Sequence, residues 1–200
     1  MSYTCVRFVL ICLISITLTN CEARPEKALQ STAEPDTTKS VDSKRNEPEN
    51  SYAKLRNIAF TVTPEQFGLA LPSDKHIVYG VVMDWAMDDA IATTVAFSSG
   101  DASLYLSSGG GIIGGGQHEK VSAVAKSFVA LAQTMLTKST KTEATPLPRR
   151  DVVNFYLLTN RGIYVGQDEM NNFQNNSSKW LNLFIEGNNV LAELRKTEER

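Results

Sequence analysis

The stretch "HIVYGVVMDWAMDDAIATTVAFSSGDASLYL", residues 76–106, decides the fold class, because it holds three apolar runs that are separated by short turns. Residues 76–84, 90–97 and 102–106 are rich in strand-forming side chains, which predicts three β-strands. A parallel connection needs about a dozen residues or more, and these turns are much shorter. The three strands are therefore expected to pair antiparallel as successive hairpins.

Two amphipathic stretches further along the chain predict long helices. Residues 117–138 repeat apolar side chains at spacings of three and four, which places those side chains on one face of a helix. A second such stretch begins after Ser177 or Ser178, either of which can cap a helix, and its apolar stripe includes Trp180 and Phe184. Both helices are expected to cover a sheet.

The remaining elements complete the prediction of an α+β domain. A short helix is expected after Thr63, because Pro64 and Gln66 suit a first helical turn. Residues 152–159 and 162–166 flank an Asn-Arg turn and predict a second hairpin. The order is α-β-β-β-α-β-β-α, with a five-stranded, mostly antiparallel sheet covered by two long helices. This order broadly resembles profilin-, roadblock- and longin-type domains, a resemblance of architecture that implies no activity.

The first 21 residues are typical of an exported protein. A positive charge precedes residues 8–18, an apolar run that matches a secretory signal and is too short to span a bilayer. Leu-Thr-Asn-Cys at residues 18–21 resembles the lipobox of bacterial lipoprotein precursors. The resemblance implies that residues 1–20 are a removable signal peptide and that Cys21 carries lipid. The alternative left open is a secreted protein in which Cys21 has no such role.

The cysteine count fits this interpretation. The chain has three cysteines, Cys5, Cys12 and Cys21, and the first two lie in the proposed signal peptide. No cysteine follows Cys21, so neither a disulfide framework nor a cysteine metal site is expected in the folded part. The membrane is therefore an expected partner through the N-terminal lipid, and the cell envelope is the expected location.

The segment after the cysteine changes character abruptly. Residues 21–54 are rich in charged residues, Ser, Thr and Pro, and large apolar side chains are nearly absent from them up to residue 51. Such a composition is typical of disorder, and a flexible coil of about 30 residues reaches roughly 30 Å. The sequence thus predicts a disordered polar tether at residues 21–54 and a single α+β domain at residues 55–196.

Six glycines crowd the loop before the first long helix, at residues 109–111 and 114–116. The loop formally satisfies G-x-G-x-x-G, but no βαβ unit surrounds it and no acidic residue follows at the required distance. No Gly-Lys-Ser/Thr follows either, which excludes a P-loop. The pattern GGGxIGxGxH between a strand and a helix also resembles one carried by small bacterial proteins of unknown function, and that resemblance implies no catalytic residue.

Two interpretations of the glycine loop remain. Backbone N–H groups at a helix N-terminus attract anions, which makes an anion or small-ligand loop one of them. That loop would consist of Gly114, Gly115, Gly116, Gln117 and His118. The other interpretation is structural, because glycines let a strand bend sharply into a helix that lies on its own sheet.

The first hairpin carries the other candidate residues. Trp85 and Met87 form an apolar pair near its tip, and they either contact a partner protein or fold back into the core. Asp84, Asp88 and Asp89 share this turn, but their spacing fits no EF-hand and acidic turns are commonly solvated. We therefore predict no metal site.

The sequence predicts a binding protein rather than an enzyme. It has two histidines, His76 and His118, and no G-x-S-x-G elbow, so no catalytic residue and no cofactor are predicted. The net charge of -2 includes no basic excess, which argues against nucleic-acid binding. We expect a lipid-anchored envelope protein that acts as a protein-binding or accessory module. The alternatives are a small-ligand or anion sensor that uses residues 109–118 and, less favoured, a hydrolase with an unrecognised site.

Overall fold

The computed structural model describes residues 47–198, which form an antiparallel sheet of seven strands with helices on both faces. The strands are β1 (Val78–Ala86), β2 (Ile91–Phe97), β3 (Ala102–Leu106), β4 (Gly111–Ile112), β5 (Thr140–Thr142), β6 (Val152–Thr159) and β7 (Gly162–Glu169). The helices are α1 (Glu47–Thr61), α2 (Glu119–Met135), α3 (Met170–Gln174) and α4 (Leu181–Glu198). Across the sheet the strands lie in the order β4-β3-β2-β1-β6-β7-β5.

The antiparallel meander predicted from the quoted stretch is confirmed. β1 pairs with β2, placing Val82 opposite Val95, and β2 pairs with β3, placing Thr94 opposite Leu104. The second hairpin, β6–β7, is antiparallel as well. β1 and β6 are neighbours at the centre of the sheet, and every residue of β6 is buried because layers of helix or loop cover both of its faces.

Each face of the sheet has its own core, because successive side chains of a strand point to opposite faces. Val81 and Met83 of β1 face α2 and α4, while Val82 faces α1. The core on the α2–α4 face includes Ala125, Phe128, Val129, Phe155, Trp180, Leu183, Val190 and Leu194. The core on the α1 face includes Tyr52, Ala59, Tyr79, Val95, Phe97, Tyr105, Tyr156 and Leu158.

The sheet has seven strands, and the prediction of five was wrong in number. The five predicted strands correspond to β1, β2, β3, β6 and β7. β4 has two residues inside the glycine loop and β5 has three residues, Thr-Lys-Thr, so neither carries an apolar alternation that sequence could show. Both lie at edges of the sheet, where short and polar strands are common.

Two helices, the long α1 and the five-residue α3, were not predicted from the sequence. α1 begins at Glu47, inside the segment assigned to the tether, and it buries Tyr52, Arg56 and Ala59 against the sheet. These three residues follow a helical spacing, but the polar residues around them obscure the stripe. The short helix expected after Thr63 is a single 3-10 turn at Pro64–Phe67.

The proposed signal peptide, Cys21 and the tether up to residue 46 lie outside the described residues. Within residues 47–198, no helix is both long enough and apolar enough to cross a bilayer.

Candidate functional site

A charged pair is buried between α1 and the sheet. Arg56 of α1 is 5% exposed and Asp84 of β1 is 0% exposed. The Nε and Nη2 atoms of Arg56 donate to Asp84 Oδ2 over 3.0 and 2.6 Å. Nη2 also donates to the carbonyl oxygen of Thr145 over 2.9 Å. The guanidinium therefore joins α1 to the central strand and to the loop that precedes β6.

A row of polar side chains on the sheet completes this network. Thr93 and Asn154 are the cross-strand neighbours of Asp84 on β2 and β6. The Thr93 hydroxyl donates to Asp84 Oδ1 over 2.6 Å, and the Tyr52 hydroxyl lies 2.9 Å from Thr93 Oγ1. Burial alone would lower the pKa of Arg56, but the hydrogen bonds and the charge of Asp84 raise that pKa overall. Arg56 is therefore a permanently charged partner of Asp84.

The network is closed to solvent and its hydrogen-bonding capacity is largely used within the protein. Burial raises the pKa of the Tyr52 phenol, so this group is neutral at physiological pH. Next to it, the Tyr156 hydroxyl donates to the carbonyl oxygen of Pro146 over 2.5 Å, and the Asn154 amide donates to the Tyr156 oxygen over 3.2 Å. We interpret this cluster as the attachment of α1 to the sheet. Sequence reasoning missed Arg56, because the helix that carries it begins inside the segment read as tether.

The three carboxylates of the first hairpin do not converge. Asp84 is held by Arg56, whereas Asp88 pairs with Arg150 at the surface, where both side chains are mostly exposed. In the part of the chain that the structure describes, no group of three His, Cys, Asp or Glu side chains is arranged to hold a metal ion.

The tip of the first hairpin lies beside the first turns of α4. The Trp85 ring packs edge-to-face on Phe184, with ring centroids 5.4 Å apart. The Phe184 ring in turn packs on Phe173 of α3, with ring centroids 4.7 Å apart. Trp85 is half-buried, whereas Met87 is 36% exposed and Ile185, next to Phe184 in the chain, is 48% exposed. We call Trp85, Met87, Phe184 and Ile185 the hairpin–α4 patch. Trp85 thus lies at the margin of the core, and Met87 and Ile185 are open to solvent.

Close packing and backbone geometry account for the glycines of the predicted anion loop. A Cβ on Gly115 would lie 2.3 Å from Leu194 Cδ2, and a Cβ on Gly116 would lie 2.5 Å from Asp101 Oδ1. Gly114 has φ +75°, a left-handed conformation that side chains disfavour. The glycines therefore let the chain turn from β4 into α2 against α4, which supports the structural interpretation of the loop.

The surroundings of this loop have mixed charge. His118 is exposed at the N-terminus of α2, after the 3-10 turn that contains the exposed Gln117. Beside it lies an open cleft of about 240 Å³. The cleft is lined by His118, Glu119, Lys120, Val121, Glu193, Lys196 and Thr197. The two glutamates of the cleft are balanced by its two lysines, and Lys196 pairs with Glu193 over 2.5 Å. With the Asp101 carboxylate near Gly116, the described side chains give an anion no excess of positive charge beside the helix terminus.

A second, apolar cleft lies on the other side of the glycine loop, against α1. It holds about 460 Å³, and the residues between 51 and 198 that line it are uncharged. We call it the α1–glycine cleft and define it by Ser51, Tyr52, Leu55, Leu106, Gly109, Gly110, Gly111 and Ile113. Ile113 is 65% exposed, and Ile58, one turn beyond Leu55 on α1, is 56% exposed. The glycine loop therefore contributes its first glycines, not its last ones, to an apolar surface.

The two histidines occupy separate places, His76 at the end of the sheet and His118 at the N-terminus of α2. His76 Nε2 lies 3.0 Å from Thr159 Oγ1, and its ring packs edge-on against Tyr164 with centroids 4.9 Å apart. Burial, followed by the positive charges of Arg161 and Lys141, lowers the pKa of His76. The His76 ring is therefore kept neutral, as a packing residue at the end of the sheet.

No protein-family model, curated protein or solved structure matches this chain. The function must therefore be argued from the residues themselves.

Proposed function

We propose that the protein is a lipid-anchored protein of the bacterial cell envelope whose domain binds another protein and catalyses no reaction. The anchor rests on the lipobox-like residues 18–21, and the tether on the composition of the segment that follows. The observation that supports protein binding is the hairpin–α4 patch, where Met87 and Ile185 expose apolar surface on two neighbouring elements.

The patch has the features of a binding surface for an apolar anchor. Its base is rigid, because Trp85 and Phe184 pack on each other and on the aromatic core below. Leaving half of a large apolar side chain in water costs about 1 kcal/mol, and Met87 and Ile185 each carry a cost of this order. A partner that covers them with an apolar side chain recovers this free energy, and aromatic or methionine contacts are frequent at such interfaces.

The alternative of an anion sensor that uses residues 109–118 has less support. Beside its helix terminus the two glutamates of the cleft are balanced by two lysines, and the Asp101 carboxylate lies near Gly116, so the described side chains offer an anion no excess of positive charge. A hydrolase has no specific observation in its favour, since His118 is exposed and the buried carboxylate of Asp84 is paired with Arg56.

The similarity of the element order to profilin-, roadblock- and longin-type domains is part of this proposal. It rests on helices that cover an antiparallel sheet, and small domains of this kind carry many unrelated activities. It therefore adds no catalytic expectation.

The binding proposal is tested with two variants that make the same change on opposite faces of the sheet. Ile185→Asp places a carboxylate in the patch, whereas Ile58→Asp replaces an exposed isoleucine of α1, which covers the other face. Full-length chains are purified from their own membranes with whatever copurifies. We expect a protein that copurifies with the wild type and with Ile58→Asp to be lost from Ile185→Asp. Retention by both variants, or loss from both, would count against the patch.

The anchor is tested separately. Cys21→Ser is expected to release the chain from the membrane fraction, because acyl chains contribute about 0.8 kcal/mol per buried CH₂ and two chains hold a protein stably. Mass spectrometry of the wild type should find a chain that begins at Cys21 and carries acyl groups. An unmodified thiol with Met1 still present would contradict the lipoprotein assignment.

A further inference from the structure

The face of α1 that lies on the sheet buries little aliphatic side chain. Among residues 51–61 the buried side chains are Tyr52, Arg56 and Ala59, whereas Leu55 and Phe60 are half-buried. The buried residues of α2 are all apolar, namely Val121, Ala125, Phe128, Val129, Ala132 and Met135. Because the hydrophobic contribution grows with the apolar area that is buried, α1 is held to the sheet less firmly than α2.

The ion pair under α1 fixes the position of the helix more than it strengthens the attachment. A substitution of Arg56 or Asp84 leaves the other charge stranded in the core, and this is costly. Lifting the whole helix instead returns both charges to water. The attraction between two buried ions is largely offset by the solvation that they gave up, so their separation by lifting costs little.

The sheet beneath α1 contains a buried acceptor that the closed arrangement leaves unsatisfied. Asn154 is 4% exposed and lies beside Asp84, its cross-strand neighbour, on the face that α1 covers. Its Oδ1 atom has no hydrogen-bond partner among the described residues. An unsatisfied buried acceptor disfavours the closed state, because water can bond to this oxygen once the row is uncovered.

The chain is attached to the sheet from the end of α1 onward, which places a pivot at that end. α1 ends at Thr61, and the Tyr79 hydroxyl donates to the carbonyl oxygen of Val62, the next residue, over 3.0 Å. Beyond it the Phe67 ring packs on Phe97, with ring centroids 4.7 Å apart. A rotation at the junction between Thr61 and Val62 therefore lifts α1 and leaves these contacts in place.

We infer that α1 is a hinged cover, which lifts from the sheet as one unit while β1–β7, α2 and α4 stay folded. Openings of this kind take place in the least firmly packed elements of a domain. Lifting exposes the polar row of Asp84, Thr93 and Asn154 to solvent. The chain before Glu47 enters the domain through α1, so a pull or a ligand that acts on that segment acts on the cover first. The hairpin–α4 patch lies on the other face, so this inference is independent of the proposed binding there.

Thiol labelling at two adjacent valines of β1 tests the cover. Val82 faces α1 and Val81 faces α2 and α4, and both are 0% exposed, so Val82→Cys and Val81→Cys are matched variants. The full chain is labelled with a maleimide at several urea concentrations below the unfolding transition. The chain without an introduced cysteine reports labelling at Cys5, Cys12 and Cys21.

We expect the thiol at position 82 to react at least about 10-fold faster than the thiol at position 81 in the absence of urea. Its rate should rise only slightly with urea, because lifting one helix exposes less surface than global unfolding does. The rate at position 81 should rise steeply. Equal rates at the two positions, with equal urea dependence, would show that α1 separates only when the domain unfolds, and would overturn the inference.

Hydrogen exchange of the unsubstituted full chain supplies the second measurement. The backbone amides of residues 56–60, in the last turns of α1, are compared with those of residues 125–132 in the middle of α2. We expect the α1 amides to exchange at least about 10-fold faster, through an opening that depends weakly on urea. Equal protection of the two helices would contradict a separate opening of α1, whatever the cysteine variants show.

Discussion

Replacing Arg56 with methionine is expected to lower the free energy of unfolding by about 3–5 kcal/mol. The change leaves the Asp84 carboxylate at 0% exposure with the Thr93 hydroxyl as its remaining donor among the contacts described above. A buried carboxylate without a compensating charge is costly, because the solvation it lost is no longer replaced. It also removes the hydrogen bond to the Thr145 carbonyl oxygen.

The double variant Arg56→Met, Asp84→Val distinguishes the interaction between the two charges from the contribution of each residue alone. With both charges gone, the groups left unpaired are neutral, namely the Thr145 carbonyl and part of the Thr93 hydroxyl, so we expect a loss of about 1–2 kcal/mol. Asp84→Val alone should cost about 3–5 kcal/mol, because it strands the Arg56 guanidinium. The double variant is therefore expected to be more stable than either single variant.

Urea unfolding of the full chain, followed by circular dichroism, measures these differences. The surface pair Arg150–Asp88 is the control, since its side chains are 67% and 75% exposed, and Arg150→Met should leave the urea midpoint unchanged. If the free energy of unfolding of the double variant is lowered by the sum of the two single-variant losses, Arg56 and Asp84 do not stabilise each other. The claim that it attaches α1 to the sheet is then wrong.

Three further changes test the packing and the titration. Gly166→Ala should cost about 1–3 kcal/mol, because a Cβ there would lie 2.0 Å from the buried Trp180 ring, and an unchanged urea midpoint would refute this. Gly111→Ala should cost about 1 kcal/mol or more in thermal unfolding, because φ is +153° and its Cβ would lie 2.3 Å from the Leu104 carbonyl oxygen; unaltered melting would argue against that constraint. Folding lowers the pKa of His76, so the unfolded chain binds a proton at this residue more readily than the folded chain does. The free energy of unfolding should therefore fall as the pH drops from about 6.5, the pKa of His76 in the unfolded chain, through its lower pKa in the folded chain. His76→Phe should reduce this pH dependence, and identical pH profiles would contradict it.

The main strands of the fold could be predicted because their signals are local. The alternation and β-branched content of residues 76–106, together with short turns, specify β1, β2 and β3 without knowledge of their neighbours. β4 and β5 exist because a strand already in the sheet offers them backbone partners, β3 for one and β7 for the other. Two or three residues carry no period, so their pairing depends on tertiary context.

The candidate site divides in the same way. Trp85 and Met87 were recognisable as large apolar residues near a hairpin tip, but the partner of Trp85, the Phe184 ring, lies far away in sequence. In the sequence Arg56 is one charged residue among several near the predicted domain boundary, and only the fold places it against Asp84. The spacing of Tyr52, Arg56 and Ala59 was the signal that could have extended the domain to α1.

The packing role of the glycines was the harder part to foresee. Sequence reasoning offered both an anion loop and a sharp turn, and it favoured the turn without showing which contacts require it. The contacts that decide the geometry, such as Leu194 against Gly115, join residues from opposite ends of the domain. Only the folded chain shows that the first glycines line an apolar cleft.

Photo-cross-linking in intact cells tests the central claim, that this domain binds a protein through the hairpin–α4 patch, most directly. A photoreactive phenylalanine replaces Met87 in one strain and the exposed Ile58, on the opposite face of the sheet, in another, with the full chain made at its normal level. We predict one discrete cross-linked protein from position 87 and the absence of that product from position 58. Equal products from both positions, or no product from position 87, would contradict it.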